Sequence, residues 1–201
     1  HNHSIRRGKK FVSLNCRELS KTVLESELFA QDAALESAAK GTLFLEEIDS
    51  MASGTQTKLH SALKEKKFMR AGSREEVPVT VRIIASTTKD LNELTRKGLF
   101  MPELGRMVSG IIIEVSPLRN RPEDILSLAH EFVNTSTPEG KLAPRLAPEV
   151  CAMFTYYSWP GNTDQLREMI TGIVPTLRED IIKPDDLPAD IRAAAKNVRS
   201  T

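Results

Sequence analysis

The segment Thr42-Leu43-Phe44-Leu45 runs straight into two adjacent carboxylates, Glu46 and Glu47, with Asp49 close behind. Acidic side chains at the end of an apolar run are poorly placed for packing. They are well placed to hold Mg²⁺ and polarise a water, as phosphoryl-transfer chemistry requires. The same residues can equally mark the point where a strand leaves the core and meets solvent, and the pattern alone weighs the two readings evenly. A metal-dependent hydrolase built on Glu46, Glu47 and Asp49 needs more ligands than this stretch offers, since no histidine lies nearby. His60 and His130 have no spacing that suggests metal binding or acid–base work and read as structural or surface residues. Cys16 and Cys151 lie far apart, without metal-ligand spacing, and read as buried free thiols.

For the acids to face a crevice, the run that carries them must be a strand of a parallel sheet, whose carboxyl-terminal edge is where ligands bind. The flanking sequence supplies such a sheet. Residues 42–46 are apolar without alternation, as expected of a central strand covered on both faces. FVSLN (11–15) is a β-rich run, VRIIAS (81–86) reads as a further buried strand, and GIIIEV (110–115) is a fourth apolar run before the breaker Pro117. Between them, LSKTVLESELF (19–29) places Leu19, Val23, Leu24, Leu28 and Phe29 at helical spacing, while 31–40 reads as a helix end or a loop. Ser53 is the expected N-cap of a helix over 54–67, with Leu59, Ala62 and Leu63 on one face. A hairpin follows with its turn at Ala71-Gly72-Ser73, then a helix capped by Asp90 and a short helix in PELGRMV. Strands alternating with helices predict an α/β domain over residues 1–118, a parallel sheet sandwiched by helices.

Beyond residue 118 the pattern changes. PEDILSLAHEFVNTS, APEVCAMFTYYS and NTDQLREMITGIVPTL are three helical patterns with no strand among them, and Pro175 should end or kink the third. Residues 119–192 are predicted to form a small dependent helical bundle, and 193–201 a frayed tail. Trp159 reads as a core anchor between these helices. Arg119 and Arg121 either hold the junction of the two domains or are simply solvated.

Composition sets outer limits. With 40% hydrophobic and 27% charged residues the chain can bury a real core, and a net charge of +1 advertises neither nucleic acid nor an anionic membrane as partner. No stretch approaches the roughly 20 apolar residues of a membrane span, and no secretory signal is apparent, so a cytoplasmic location is expected. The opening HNHSIRRGKK, without a methionine, reads as the start of a fragment.

Taken in order, FVSLNC, VLESELF, GTLFLEEID, QTKLHSAL, VRIIASTTKDL, PLRNRPEDI and WPGNTDQLRE resemble the AAA+ central domain of bacterial enhancer-binding proteins, the sigma-54-dependent transcription activators, over roughly residues 9 to 190. The resemblance implies an AAA+ sheet with its N-terminal part missing and a C-terminal helical lid. It implies a ring-forming ATPase, usually hexameric, that uses ATP and Mg²⁺ to remodel sigma-54 RNA polymerase. On this resemblance Glu46 takes the place of the Mg²⁺-orienting aspartate and Glu47 that of the water-activating glutamate. Asn15 matches the asparagine that restrains that glutamate, Thr88 and Asp164 fall at the two sensor positions, and Arg106 falls at a trans-acting arginine finger.

Several positions depart from the family pattern. The phosphate-binding loop G-x-x-x-x-G-K-[ST] does not occur in these residues, and without its amides and lysine ATP binding loses several kcal/mol. Only residues 30–40 stand where the family carries its GAFTGA loop, so contact with sigma-54 by the usual means is expected to be lost. Glu46 is one methylene longer than the family aspartate, Thr88 replaces an asparagine, and Met101 replaces the first finger arginine. Asp164 replaces the second sensor arginine and puts negative charge where a γ-phosphate needs neutralising.

The resemblance, with its departures, therefore implies a transcription-regulator domain of the sigma-54 interaction type that acts through homo-oligomerisation or by positioning a separate DNA-binding domain. It is expected to work without ATP hydrolysis and to need no cofactor in this form, with RNA polymerase or a sigma factor as possible partner. The alternative is an ATP-hydrolysing sigma-54 activator domain whose phosphate loop lies upstream.

Overall fold

A computed structural model describes residues 1–73, 75–177 and 179–198, with side chains to residue 193. It divides into two compact units, His1–Ile113 and Glu114–Thr201.

The first unit is organised around one strand. Leu43 and Leu45, two residues apart on β2 (Thr42–Glu46), point to the same face and are fully buried. β2 is paired on both edges, by β1 (Phe11–Asn15) and by β5 (Arg82–Ala85), and both ladders are parallel, as the sequence predicts. The register sets Leu14 and Ala85 beside Leu45, so one face of the sheet is continuous with the core. The opposite face leaves Phe11, Ser13, Arg82 and Ile84 exposed. The start of β2 is fixed by Gly41, where any Cβ would sit 2.1 Å from the Lys10 carbonyl oxygen.

Parallel strands need crossovers, and these carry the covering helices. Between β1 and β2 lie α1 (Lys21–Phe29) and the short α2 (Ala34–Ser37), which bury Leu24, Leu28 and Leu35 in the same core as Leu43 and Leu45. Ser20 caps α1, its hydroxyl accepting from the Val23 N–H at 3.4 Å. Between β2 and β5 lie α3 (Ser53–Glu65) and an antiparallel hairpin of β3 (Lys67–Met69) and β4 (Glu76–Pro78). α3 buries Leu59 and Ala62, and Leu63 is partly buried beside them. Ser53 is not its N-cap. The first helical hydrogen bond runs from the Gln56 N–H to the Ala52 carbonyl at 2.9 Å, so Ala52 holds the cap position and Ser53 lies inside the helix. After β5 come α4 (Leu91–Arg96), capped by Asp90, and α5 (Pro102–Val108).

Two of the predicted strands behave differently from expectation. β5 forms, but as an edge strand. With no ladder on its far side among the described residues, only Ile83 and Ala85 pack against the core while Arg82 and Ile84 stay exposed. GIIIEV enters no ladder among the described residues, and Ile111, Ile112, Ile113 and Val115 are 82%, 74%, 82% and 77% exposed. β-propensity expresses how well a side chain fits a paired, half-buried surface, and a run with no neighbouring strand gains nothing from it.

The second unit contains the three expected helices, α6 (Pro122–Ser136), α7 (Pro148–Tyr156) and α8 (Asn162–Ile173). Pro175 ends the third, which passes into a 3₁₀ turn at Val174–Thr176. Two features were not foreseen. A two-residue parallel ladder joins β6 (Arg145–Leu146) to β7 (Ile181–Ile182), and a fourth helix, α9, runs Ala189–Val198. The expected frayed tail is thus helical through Val198, and its last three residues lie outside the described residues. Trp159 is fully buried, donates its indole N–H to the Phe154 carbonyl at 2.8 Å and makes edge-to-face contacts with the rings of Phe154 and Tyr157. Its backbone is left-handed, with φ of 47°, so the surrounding packing holds a conformation that a bulky residue rarely adopts.

Trp159→Ala removes a buried aromatic and its hydrogen bond together, and the expected loss is about 3–5 kcal/mol of unfolding free energy. Urea unfolding followed by far-ultraviolet circular dichroism measures it. A loss under about 1 kcal/mol would mean that Trp159 does not anchor this core.

Candidate functional site

The parallel register delivers Glu46 and Asn15 side by side to the carboxyl-terminal edge of the sheet. The chain then reverses at Glu47, whose φ of 50° is left-handed, and passes into a 3₁₀ turn at Ile48–Ser50. A non-glycine residue in this conformation costs on the order of 1–3 kcal/mol and persists only where its surroundings fix it. Here they do. The Ile48 N–H donates to the Ser86 carbonyl at 3.0 Å and the Ser86 N–H to the Leu45 carbonyl at 2.9 Å, lacing the loops after β2 and β5 together. The Cys16 N–H adds a bond to the Glu46 carbonyl at 2.9 Å from the loop after β1.

Each acid on this edge has a partner from the protein itself. The Ser13 hydroxyl donates to Glu46 Oε1 at 2.5 Å. A guanidinium nitrogen of Arg17 lies 2.7 Å from Glu47 Oε2, an oxygen that is buried and lacks a well-directed hydrogen bond, so the pair is held by charge. Asp49 is the most enclosed of the three. Its side chain is 0% exposed, accepts from the Thr87 hydroxyl at 2.7 Å on Oδ1, and has the Lys89 ammonium 2.7 Å from Oδ2 at an unfavourable angle. Burial raises the Asp49 carboxyl, but Lys89 and Thr87 together outweigh it and hold the group below its ordinary range. Nearby, burial pushes the Cys16 thiol up to about 11, with smaller contributions from Asp49 and Glu46, so it stays a protonated, packed thiol at neutral pH.

The other residues singled out in the sequence stand apart from this cluster. Asn15 makes its side-chain hydrogen bonds elsewhere than to Glu47: its amide N–H donates to Glu18 Oε1 at 2.9 Å and its amide oxygen accepts from the Arg17 N–H at 3.0 Å. Thr88 is exposed, and it is Thr87 that reaches the acidic turn. Met101 starts α5, its N–H donating at 2.7 Å to Oε1 of the buried Gln56, whose amide N–H in turn donates to the Met51 carbonyl at 2.7 Å. Arg106 is exposed and pairs with Glu103 one turn back at 3.3 Å. Asp164 belongs to the second unit, where it is exposed and paired with Arg167 at 3.3 Å. Arg121 of that unit pairs with Asp124, and Arg119 is exposed.

Sequence reading missed Ser13, Arg17, Thr87 and Lys89. Ser13 becomes a partner only once β1 is registered against β2, and no residue spacing announces Arg17 or Lys89. No group of three or more His, Cys, Asp or Glu side chains among the described residues is placed to hold a metal ion. Glu46 and Glu47 are both engaged by protein donors, Ser13 and Arg17.

Comparison with known proteins agrees with this architecture. Residues 1–114 match the family described as Sigma-54 interaction domain, and residues 119–201 the family described as AAA+ ATPase lid domain. The chain is 34% identical over 200 residues to the Sigma54-dependent transcriptional regulator SfnR of Pseudomonas fluorescens (strain Pf0-1), covering 93% of this chain and 54% of that protein. To the regulatory protein AtoC of Escherichia coli (strain K12) it is 34% identical, covering 98% of this chain and 46% of that one. Among solved structures, NtrX from Brucella abortus in complex with ADP superposes with a TM-score of 0.88 at 34% identity, covering 95% of this chain and 45% of that chain. NtrX in complex with ATP gives the same TM-score at 32% identity, with the same coverage. The chain spans about half the length of the curated relatives it matches.

Because the Asp49 carboxyl is lowered in the folded protein, its contribution to stability is present above its ordinary range and is lost as pH falls through the lowered value. Asp49→Asn keeps an acceptor for Thr87 but removes the charge facing Lys89. It is expected to lower stability by about 1–3 kcal/mol at pH 7 and to flatten the decline between about pH 5 and pH 3. Urea midpoints across that interval test this, and an unchanged acid limb would show that the Lys89 pairing contributes nothing.

Proposed function

This chain belongs to the sigma-54 interaction domain family of transcription regulators, and on that footing we propose that it acts as an oligomerising regulatory module that does not turn over ATP in this form. The observation that carries the reading is the state of the two acids at the end of β2. Attack on a γ-phosphate needs a carboxylate free to accept a proton from water, and a second free to orient Mg²⁺. Glu47 is held against Arg17 and Glu46 against Ser13, so each would have to leave its partner before it could serve.

The surrounding substitutions support the same conclusion. Phosphoryl transfer is catalysed by positioned positive charge, and one arginine finger alone is worth about 10³ or more in rate. At the corresponding places this chain offers the uncharged Met101, an Arg106 paired to its own Glu103, the neutral Thr88 and the acidic Asp164. Its 201 residues contain no G-x-x-x-x-G-K-[ST]. What the sequence keeps instead is packing: the apolar β2, Leu28 and Phe29 in the first core, Trp159 in the second. The fold is thereby preserved as a scaffold for contacts. Those contacts would be with further copies of the chain, with RNA polymerase or a sigma factor, and with DNA through a separate domain. No helix among the described residues is long and apolar enough to cross a membrane.

A second reading, an ATP-hydrolysing activator domain whose phosphate loop lies upstream, is favoured by one observation. NtrX, similar over nearly the whole of this chain, has been crystallised with ADP and with ATP.

The two readings separate in a phosphate-release assay with Mg²⁺ and ATP on the full-length protein that carries this chain. That protein and its Glu47→Gln variant are both expected to stay at the no-protein background. Release that Glu47→Gln abolishes would overturn the non-hydrolysing reading and establish the second.

A further inference from the structure

We propose that Tyr157 is a coupling node that makes the docking of α9 and the conformation of the turn leading into α8 a single two-state event, felt at Leu118 where the chain enters the second unit. This goes beyond the oligomerising, non-hydrolysing reading and depends on neither part of it. A continuous series of hydrogen bonds carries the coupling. The Tyr157 hydroxyl donates to Asp190 Oδ2 of α9 at 2.6 Å. The same hydroxyl oxygen accepts from the Gln165 amide N–H of α8 at 3.2 Å. Gln165 Oε1 in turn accepts from the Gly161 N–H at 3.0 Å, and the next residue, Asn162, accepts on its side-chain oxygen from the Leu118 N–H at 2.9 Å. Asp190 and Leu118, far apart in sequence, are thus joined through one phenol and one amide.

Both ends of this series can switch. α9 is ten residues long, short of the length at which a helix persists alone in water, so it gains its helicity from docking. It packs against α7, with Ile191 buried in the second core and Asp190 bonded to Tyr157. Its ion pair between Arg192 and Asp185, at 3.8 Å, reaches only the turn that precedes the helix. At the other end Trp159 and Asn162 hold left-handed backbones, with φ of 47° and 51°, which non-glycine residues keep only where their surroundings fix them. Gln165 is part of that fixing. A Cβ on Gly161 would stand 2.8 Å from the Gln165 Cβ, so the turn and this side chain are in close contact. The Tyr157 ring adds an edge-to-face contact with Trp159 at a centroid distance of 5.0 Å. The bond to Asp190 is charge-assisted, and it is the main cause that holds the Tyr157 hydroxyl above and the Asp190 carboxyl below their ordinary ranges. Undocking of α9 withdraws that acceptor and frees the phenol to turn away from Gln165, which loosens the turn and its hold on Leu118. By reciprocity, whatever moves residues 117–121 changes how firmly α9 is docked.

Amide hydrogen exchange of the full-length protein that carries this chain, followed by mass spectrometry, tests the coupling. Asp190→Ala is expected to speed exchange about three- to tenfold in peptides covering α9 and equally in those covering 159–166 and 117–121, while α6 keeps its protection. Tyr157→Phe keeps the ring on Trp159 and removes the hydroxyl. It should do the same, and the double variant should do no more than either alone. Asp190→Asn retains an oxygen that accepts from the phenol and should return most of the protection. Faster exchange confined to α9 in Asp190→Ala overturns the proposal, as do effects that add in the double variant. A rise that spreads evenly over α6 also overturns it, since that reports loss of the whole core and not a relay. Phosphate release bears on the non-hydrolysing reading alone and leaves this coupling standing.

Discussion

The double-sided pairing of β2 is the constraint on which the first unit depends. A strand paired on both edges satisfies its backbone without water, and that allows Leu43 and Leu45 to be fully buried. Burial of those two leucines draws α1, α2 and α3 onto the same face and so fixes the paths of the crossovers. The parallel sense of both ladders then brings three loops to one edge: those after β1, β2 and β5. Cys16, Glu46, Glu47, Asp49, Ser86 and Thr87 meet there for that reason, although their positions span some seventy residues of chain.

At that edge each acid meets a donor from the protein itself. Three carboxylates within four residues repel one another, and the protein answers with a separate donor for each: the Ser13 hydroxyl, the Arg17 guanidinium and the Lys89–Thr87 pair. The enclosed Asp49 is bound most completely, and its lowered proton affinity registers how far the donors outweigh its burial. It ties the turn after β2 to the loop after β5, which is the mechanical task of holding Glu47 in its left-handed conformation. The Asp49 contacts with Thr87 and Lys89 therefore stabilise the turn.

The same sheet that is complete around β2 is open at β5. Local propensity supplies the isoleucines of residues 111–113, but a strand exists only in the company of a neighbour, and the first unit provides none on that side among the described residues. The second unit shows the opposite case. Its core closes on Trp159, Phe154, Leu118 and Ile170, and the short β6–β7 ladder is tolerated because the helices around it supply the burial.

By itself the sequence determined the alternation of strands and helices up to residue 108, the central position of residues 42–46, the helices of the second unit, the stop at Pro175 and the family to which the chain belongs. These are legible because they depend on local periodicity and on the order of motifs along the chain. Only the tertiary structure decided that β5 is an edge, that GIIIEV has no partner, that α9 continues to Val198, and that Arg17 rather than Asn15 faces Glu47. Spacing could place Glu46 and Glu47 at the end of a strand, but not say what they touch. The reason is physical: strand pairing and ion pairing are made between residues distant in sequence, and their outcome depends on which neighbours are present to be met.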